Sequence, residues 1–232
     1  MTKQQRADII IERLEAAYPG AKCGLSYAQP WQLLVTVRLS AQCTDERVNI
    51  VSKELFSCFP SAEALAGSSP EEIERIIRPC GLGATKARDI FLAMNKLISN
   101  YNGQIPSTMD ELLKIPGVGR KSANLILGEV FSLPAIVVDT HCIRLANRLG
   151  LCDSLKPNVI ERELRSLIPD DKGADFCHRL ILFGRQYCSA RSPECNICFL
   201  RDVCVHPAYK DLSSPIDSNG TPSIPQNPDN LQ

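Results

Sequence analysis

The chain lacks the features that most quickly place a protein. None of its apolar runs approaches the roughly 20 residues that a membrane-crossing helix needs, which excludes a helical membrane span. Its start, Met1-Thr2-Lys3-Gln4-Gln5-Arg6-Ala7-Asp8, has no apolar signal core, so export is not expected and a cytoplasmic location is. It has no net charge: 26 Lys and Arg stand against 26 Asp and Glu. Taken whole, that balance argues against a nucleic-acid partner, which usually calls for a basic chain. Aromatic residues make up only 6% of the 232 residues, but the hydrophobic share is 44% and the charged share 22%. Such a chain is not disordered throughout and can build one large domain or two smaller ones.

The even charge balance dissolves when it is counted by segment. Residues 1–110 carry 12 basic and 12 acidic groups, residues 111–210 carry 14 and 11, and residues 211–232 carry none and three. The final segment, with Pro215, Pro222, Pro225 and Pro228 and few apolar residues, is expected to be a disordered acidic tail over 208–232. It masks a mildly basic body.

Cysteine is plentiful, with 11 in the chain, and the absence of a secretion signal favours reduced thiols or metal ligands over disulfides. Seven are scattered (Cys23, Cys43, Cys58, Cys80, Cys142, Cys152, Cys177) and are expected to be small buried hydrophobes. The remaining four, Cys188, Cys195, Cys198 and Cys204, crowd together as C-x6-C-x2-C-x5-C. Four thiolates this close suit tetrahedral zinc or an iron–sulfur cluster, and the spacing alone leaves both open.

Helical periodicity dominates. Ala7, Ile10, Ile11, Leu14 and Tyr18 share a face, as do Ile90, Met94, Leu97 and Ile98, then Ala123, Ile126, Leu127 and Val130, then Ile160, Leu164, Leu167 and Ile168. Ser69-Pro70-Glu71-Glu72 and Thr108-Met109-Asp110-Glu111 are capping boxes that start helices. Leu33–Leu39 and Ala135–Val138 fit strand or helix equally. With so few strands available for pairing, the fold class is all-α. A weak repeat also stands out: Cys80-Gly81-Leu82-Gly83-Ala84-Thr85-Lys86 echoes Pro116-Gly117-Val118-Gly119-Arg120-Lys121, each set between two helices.

The second copy of that repeat carries chemistry. A helix ending at Ile115, a Pro116-Gly117-Val118-Gly119 turn and a helix starting near Arg120 form a helix-hairpin-helix. Unpaired N–H groups and the helix dipole at such a start seat a phosphate, and glycine lets the DNA backbone approach without sequence being read. Lys121 falls in the first turn. There, helix potential and partial burial are expected to disfavour its ammonium and make it a nucleophile for Schiff-base chemistry at a sugar C1′. Eighteen residues on, Asp139 follows the apolar run Ala135–Val138, where an aspartate alone would be a helix N-cap. Lys86, in the first copy, is expected to be solvated or to touch phosphate.

Together, Leu39-Ser40-Ala41-Gln42-Cys43-Thr44-Asp45, Ile115 through Lys121, Val138-Asp139-Thr140-His141 and the four-cysteine cluster resemble the endonuclease III family of DNA glycosylases over roughly residues 1–207. The resemblance implies a 4Fe–4S cluster on Cys188, Cys195, Cys198 and Cys204. It also implies a six-helix domain (23–133) and a cluster domain (134–207) joined by the N-terminal helix (1–22), with duplex DNA in the cleft between them. In the activity it implies, a bifunctional glycosylase and AP lyase removes oxidised pyrimidines in base-excision repair. A flipped nucleotide is attacked by Lys121 with Asp139 assisting, and β-elimination then nicks the 3′ side.

Gln42 matches the residue inserted into the vacated stack, and Leu82 the wedge against the opposite strand. Gly117, Val118, Gly119, Arg120, His141 and Arg191 complete the implied DNA contacts, on a monomer acting near the nucleoid if the source is bacterial. Two departures stand out: Cys43 replaces a common alanine, and Glu194 makes the cluster loop less basic. Two alternatives explain less. A monofunctional mismatch glycosylase would usually lack Lys121, and a non-catalytic iron–sulfur DNA-binding protein leaves Asp139 without a role.

Overall fold

The computed structural model describes residues 1–206, which contain eleven α-helices and no strand. The expected acidic tail lies outside the described residues. Among the described residues, no helix is long and apolar enough to cross a membrane. The chain divides into two compact units. One comprises residues 1–22 and the described residues from 133 onward, and the other is residues 23–132.

In the first unit, α1 (Lys3–Ala17) begins at a Thr2/Gln5 capping box and buries Ala7, Ile10, Ile11 and Leu14, the stripe its sequence period marks. The second unit runs through α2 (Pro30–Leu39), α3 (Asp45–Cys58), α4 (Ala62–Ala66), α5 (Pro70–Ile77), α6 (Gly83–Tyr101), α7 (Met109–Leu112) and α8 (Arg120–Phe131). Its core draws on Leu33, Leu39, Val48, Leu55, Ile73, Ile90, Leu97 and Ile126, each with no exposed surface. Helix α2 resolves the ambiguity over Leu33–Leu39. Pro30 opens it, and six of its ten residues are buried on every side, so no polar face marks its period.

Helix starts follow local chemistry. The Ser69 hydroxyl accepts from the Glu72 N–H while the Glu72 carboxylate accepts from Ser69 N–H, a complete capping box on α5. At α7 the Thr108 hydroxyl likewise accepts from Glu111 N–H, but it also donates to the Glu111 carboxylate at 2.7 Å.

The first unit resumes with α9 (Thr140–Arg148), α10 (Pro157–Leu167) and α11 (Gly173–Gln186). Ala135–Val138, the other ambiguous segment, is buried chain with no regular secondary structure. Helix α1 packs on α10 and α11. It also reaches the cysteine-rich segment, where the Arg13 guanidinium donates to both Asp202 carboxylate oxygens and, at 2.9 Å, to the Phe199 carbonyl. Phe199 is fully buried and meets Phe183 and Tyr187 edge-on at 5.3 and 5.5 Å.

Candidate functional site

The hairpin around Gly117 is built on backbone geometry. Helix α7 stops at Leu112, three residues before the expected end at Ile115. Tighter i→i−3 bonds, Lys114 N–H to the Glu111 carbonyl and Ile115 N–H to the Leu112 carbonyl, carry the chain on at 3.0 Å each. Gly117 then turns at φ 77°, where any other residue would be strained. A side chain there would also collide with Arg38 and Asp89, whose ion pair at 2.7 Å lies directly beneath. The N-cap of α8 is Gly119, which has no side chain to accept the first-turn N–H groups. A helix start whose N-cap supplies no acceptor is the kind that seats an anion.

Lys121 occupies the second position of α8. It is exposed, on the side turned away from the buried Ala123, Asn124, Ile126 and Leu127, so the partial burial expected of it is not found.

The first copy of the repeat has the same plan. Gly81 turns at φ 71°, and Leu82, the N-cap of α6, offers no side-chain cap. Leu82 itself is left-handed (φ 52°) and 54% exposed. Gln42, in the turn between α2 and α3, is also left-handed (φ 56°) and exposed. The other two non-glycine residues with positive φ among those described, Asn102 and Ser132, are helix C-caps, where this conformation is common. At Gln42 and Leu82 it is not, and strain of this kind gathers at functional positions.

Lys86 corrects its sequence reading. Far from being solvated, it is fully buried, and its ammonium donates to the carbonyls of Leu39 and Cys80 at 2.8 Å each. The missed signal is periodicity. Lys86 lies one turn before Ile90 on the face that continues to Met94 and Leu97, all buried.

In the other unit, Asp139 is the N-cap of α9, accepting at Oδ1 from Cys142 N–H at 2.7 Å. The cap fixes one carboxylate oxygen and leaves the carboxylate half-buried. His141 follows one residue into that helix, with Arg144 Nη2 3.2 Å from its Nδ1. A Cβ on Gly184 of α11 would stand 2.6 Å from that same ring nitrogen. The histidine is therefore packed against a neighbouring helix.

Cys188, Cys195, Cys198 and Cys204 line one pocket, walled by Leu149, Phe183 and Tyr187. Among the described residues no three Cys, His, Asp or Glu side chains converge closely enough to hold a single metal ion. Tetrahedral zinc would need sulfurs about 3.8 Å apart, from a Zn–S bond of about 2.3 Å. A pocket ringed by four thiols offers the four thiolate ligands that a 4Fe–4S cluster takes. The electrostatics agree. Burial pushes Cys198 up to about 12, with the neighbouring cysteines adding to the rise, and burial also raises Cys195 and Cys204. Thiols so placed ionise together only around a cationic group.

Hydrogen-bond donors already face the sulfurs. Arg148 Nη1 donates to Cys188 Sγ at 3.3 Å and to the Ser189 carbonyl at 2.7 Å, and His206 N–H donates to Cys204 Sγ at 3.5 Å. Arg191 and Glu194, on the loop between the first two cysteines, are both exposed.

Residues 35–170 match the family described as HhH-GPD superfamily base excision DNA repair protein, and residues 188–204 match the iron–sulfur binding domain of endonuclease III. The chain is 46% identical to the endonuclease III of Synechocystis sp. over 88% of its length and 93% of that protein. It is 39% identical to that of Bacillus subtilis over 88% and 94%. It superposes on a solved non-covalent endonuclease III–DNA complex with a TM-score of 0.85 at 40% identity, covering 90% of this chain and 98% of the other. A trapped endonuclease III–DNA covalent intermediate matches at 0.84 and 40%, covering 90% and 99%.

Proposed function

Because the chain belongs to the endonuclease III family of base-excision DNA repair proteins, we propose that Lys121 is the nucleophile and Asp139 its carboxylate partner. The protein is a DNA glycosylase with AP lyase activity, binds DNA and carries a 4Fe–4S cluster. What carries the Lys121 assignment is its place on an uncapped helix start, one turn of chain behind Gly117 and Gly119. A phosphate seated on the α8 N–H groups leaves the Lys121 amine at the sugar that the phosphate belongs to.

The chemistry follows from those two groups. The Lys121 lone pair forms a bond to C1′ as the glycosidic bond breaks, and the base departs with the bonding pair and takes up a proton. The oxocarbenium character that develops at the sugar is met by the Asp139 carboxylate, one of whose oxygens the α9 cap holds in a fixed orientation. Ring opening gives a protonated Schiff base between Lys121 and C1′. Loss of a C2′ proton then expels the 3′ phosphate, and water releases the lysine. Cys188, Cys195, Cys198 and Cys204 would hold the cluster, which supplies the iron–thiolate bonds that close the loop they span.

The substrate class we assign is oxidised pyrimidines in duplex DNA, acted on by a monomer. Gln42, Leu82, Val118, Arg120 and Arg191 are assigned to the DNA surface, with the glycines of the hairpin giving the backbone room and His141, packed against α11, supporting that surface from beside it. Support for Gln42 and Leu82 is their exposure combined with a left-handed backbone that no helix C-cap explains. Borohydride should trap a covalent protein–DNA adduct with the unmodified protein and none with Lys121→Gln. An adduct of undiminished yield in that variant would overturn the nucleophile assignment. Duplexes each carrying one defined lesion would test the substrate class, and equal excision of oxidised purines would overturn it.

A further inference from the structure

Lys86 is a full positive charge with no exposed surface, in a unit where every other largest fully buried side chain is apolar. Burying an ammonium is expensive unless its protons are bound. Burial lowers its pKa, with Arg38 acting in the same direction and the thiols of Cys80 and Cys43 opposing. Two of its three N–H groups are directed at specific carbonyls. One is that of Leu39, the last residue of α2 and three residues before Gln42, and the other is that of Cys80, two residues before Leu82. Nothing in the Lys121 and Asp139 chemistry uses this lysine. What its two acceptors share is position: each stands two or three residues before an exposed, left-handed, non-glycine tip.

We propose that Lys86 is a positioning residue for damage recognition, clasping the Leu39 and Cys80 carbonyls so that the Gln42 and Leu82 tips are held as one rigid pair. This rests on the reading of those tips as the groups that enter the duplex. A charged clasp between two chain segments 41 residues apart (Leu39 and Cys80) fixes their separation better than apolar packing does, because the acceptors have direction as well as distance. Left-handed residues cost free energy and hold only where their surroundings over-determine them. Lys86 supplies that constraint to both at once. It thereby links the group filling the vacated stack to the group wedging the opposite strand.

The test is a cycle of variants read by single-turnover nicking of a duplex with one preformed abasic site. Replacing Gln42 and Leu82 together by Ala should slow nicking about tenfold, and Lys86→Met, which keeps the stem and removes the donors, should do the same. Adding Lys86→Met to the double variant should then change the rate by less than about twofold, because the residue acts through tips already removed. A full further loss in the triple variant would show a general structural role and overturn the proposal while leaving the tips' role intact. An unchanged rate in the Gln42/Leu82 variant would remove both. Should Lys86→Met not fold, hydrogen exchange of the unmodified protein decides. The Cys43 N–H, bonded to the Ser40 carbonyl, and the Gly81 N–H, bonded to the Arg78 carbonyl, should open with the same equilibrium constant, and independent opening overturns the clasp.

Discussion

Three glycines of the two hairpins separate conformational strain from steric collision. Gly119 has φ −99°, and a Cβ there meets nothing within 4 Å. Gly81 has φ 71° and equally open surroundings, while Gly117 has φ 77° and a Cβ position 2.9 Å from both Arg38 Cδ and Asp89 Cβ. Gly119→Ala should change stability by no more than about 0.5 kcal/mol, since its backbone already suits alanine and the loss at an N-cap is small. Gly81, at φ 71° and ψ 160°, lies in a region essentially reserved for glycine, so Gly81→Ala should cost about 1–3 kcal/mol. Gly117→Ala adds to that the displacement of Asp89 Cβ, which cannot swing away because it is attached to the α6 backbone. Giving up part of the Arg38–Asp89 pair brings the total to about 2–4 kcal/mol. In a protein of this size that is a fall in Tm of roughly 5–12 °C. Thermal melts followed by circular dichroism, alongside binding to a non-specific duplex, check the series. Gly119→Ala should weaken binding with no change in Tm, because its methyl would meet the phosphate. Equal Tm losses at Gly81 and Gly117 would refute the view that the Arg38–Asp89 pair forms a rigid floor under the hairpin.

Asp139 serves a cap and, by our assignment, the chemistry, and two substitutions divide these. Asp139→Asn should keep the α9 cap and stability to within about 0.5 kcal/mol while lowering excision about a hundredfold. Asp139→Ala should lose the cap as well, at about 1 kcal/mol; the check is denaturant unfolding beside single-turnover excision, and unimpaired excision by the Asn variant would end the catalytic assignment. Glu194→Lys replaces a repulsive group on the exposed cluster loop, so DNA affinity should rise and the slope of log K against log salt should steepen by up to about 1 to 2 units. An unchanged slope, measured by anisotropy titration, would place that loop away from DNA. Removing the cluster by oxidation and chelation should unfold the unit containing α1 and α9–α11 while residues 23–132 keep their helices, as judged by residue-level hydrogen exchange. Uniform protection before and after would show that the cluster does not hold that unit together.

Much of the helical layout is legible in the sequence, for reasons that particular residues make plain. Helices α1, α6, α8 and α10 each bury one stripe against one core, so their period shows. Helix α2 buries nearly every face, and Leu33–Leu39 consequently reads as strand or helix until Pro30 is seen to open it. Helix α7 ends three residues before its apolar pattern suggests, because Leu113 and Ile115 continue that pattern while the backbone has already tightened toward the turn. Lys86 is illegible for a different reason. Residue type outweighed position, although its place on the α6 stripe, one turn before Ile90, pointed inward. The four cysteines announce a metal site by spacing, but zinc and a cluster can take the same four thiolates, and the match of residues 188–204 to an iron–sulfur domain is what separates them. The exposure of Lys121 and the Arg38–Asp89 floor are relations between distant segments that no local pattern carries.

The absence of net charge, which first argued against a DNA partner, is an accounting of side chains alone. An uncapped helix start carries the equivalent of about half a positive charge, fixed in direction and unable to rotate into solvent. The chain has two such starts behind positive-φ glycines, at α6 and α8, because Leu82 and Gly119 provide no side-chain cap where a serine or aspartate would have neutralised the N–H groups. Each puts about half a positive charge at its own N-terminus, balanced at the far end of the same helix, so the potential is local and leaves the net charge unchanged. Most other helices here start on a capping side chain: Thr2, Thr44, Ser61, Ser69, Thr108 and Asp139 all accept first-turn N–H groups. Helices α10 and α11 also start without a side-chain cap, but only at α6 and α8 among the described residues does the uncapped start follow a hairpin turned by a positive-φ glycine, which puts positive potential where a phosphate could sit. Placing an acceptor in the first turn tests this directly. Gly119→Asp should cap α8, raise its stability by about 0.5–1 kcal/mol and lower DNA affinity by far more than the single charge added elsewhere on the surface does. Equal losses for Gly119→Asp and an exposed control such as Asn158→Asp would mean that the backbone amides of α8 contribute nothing to holding DNA.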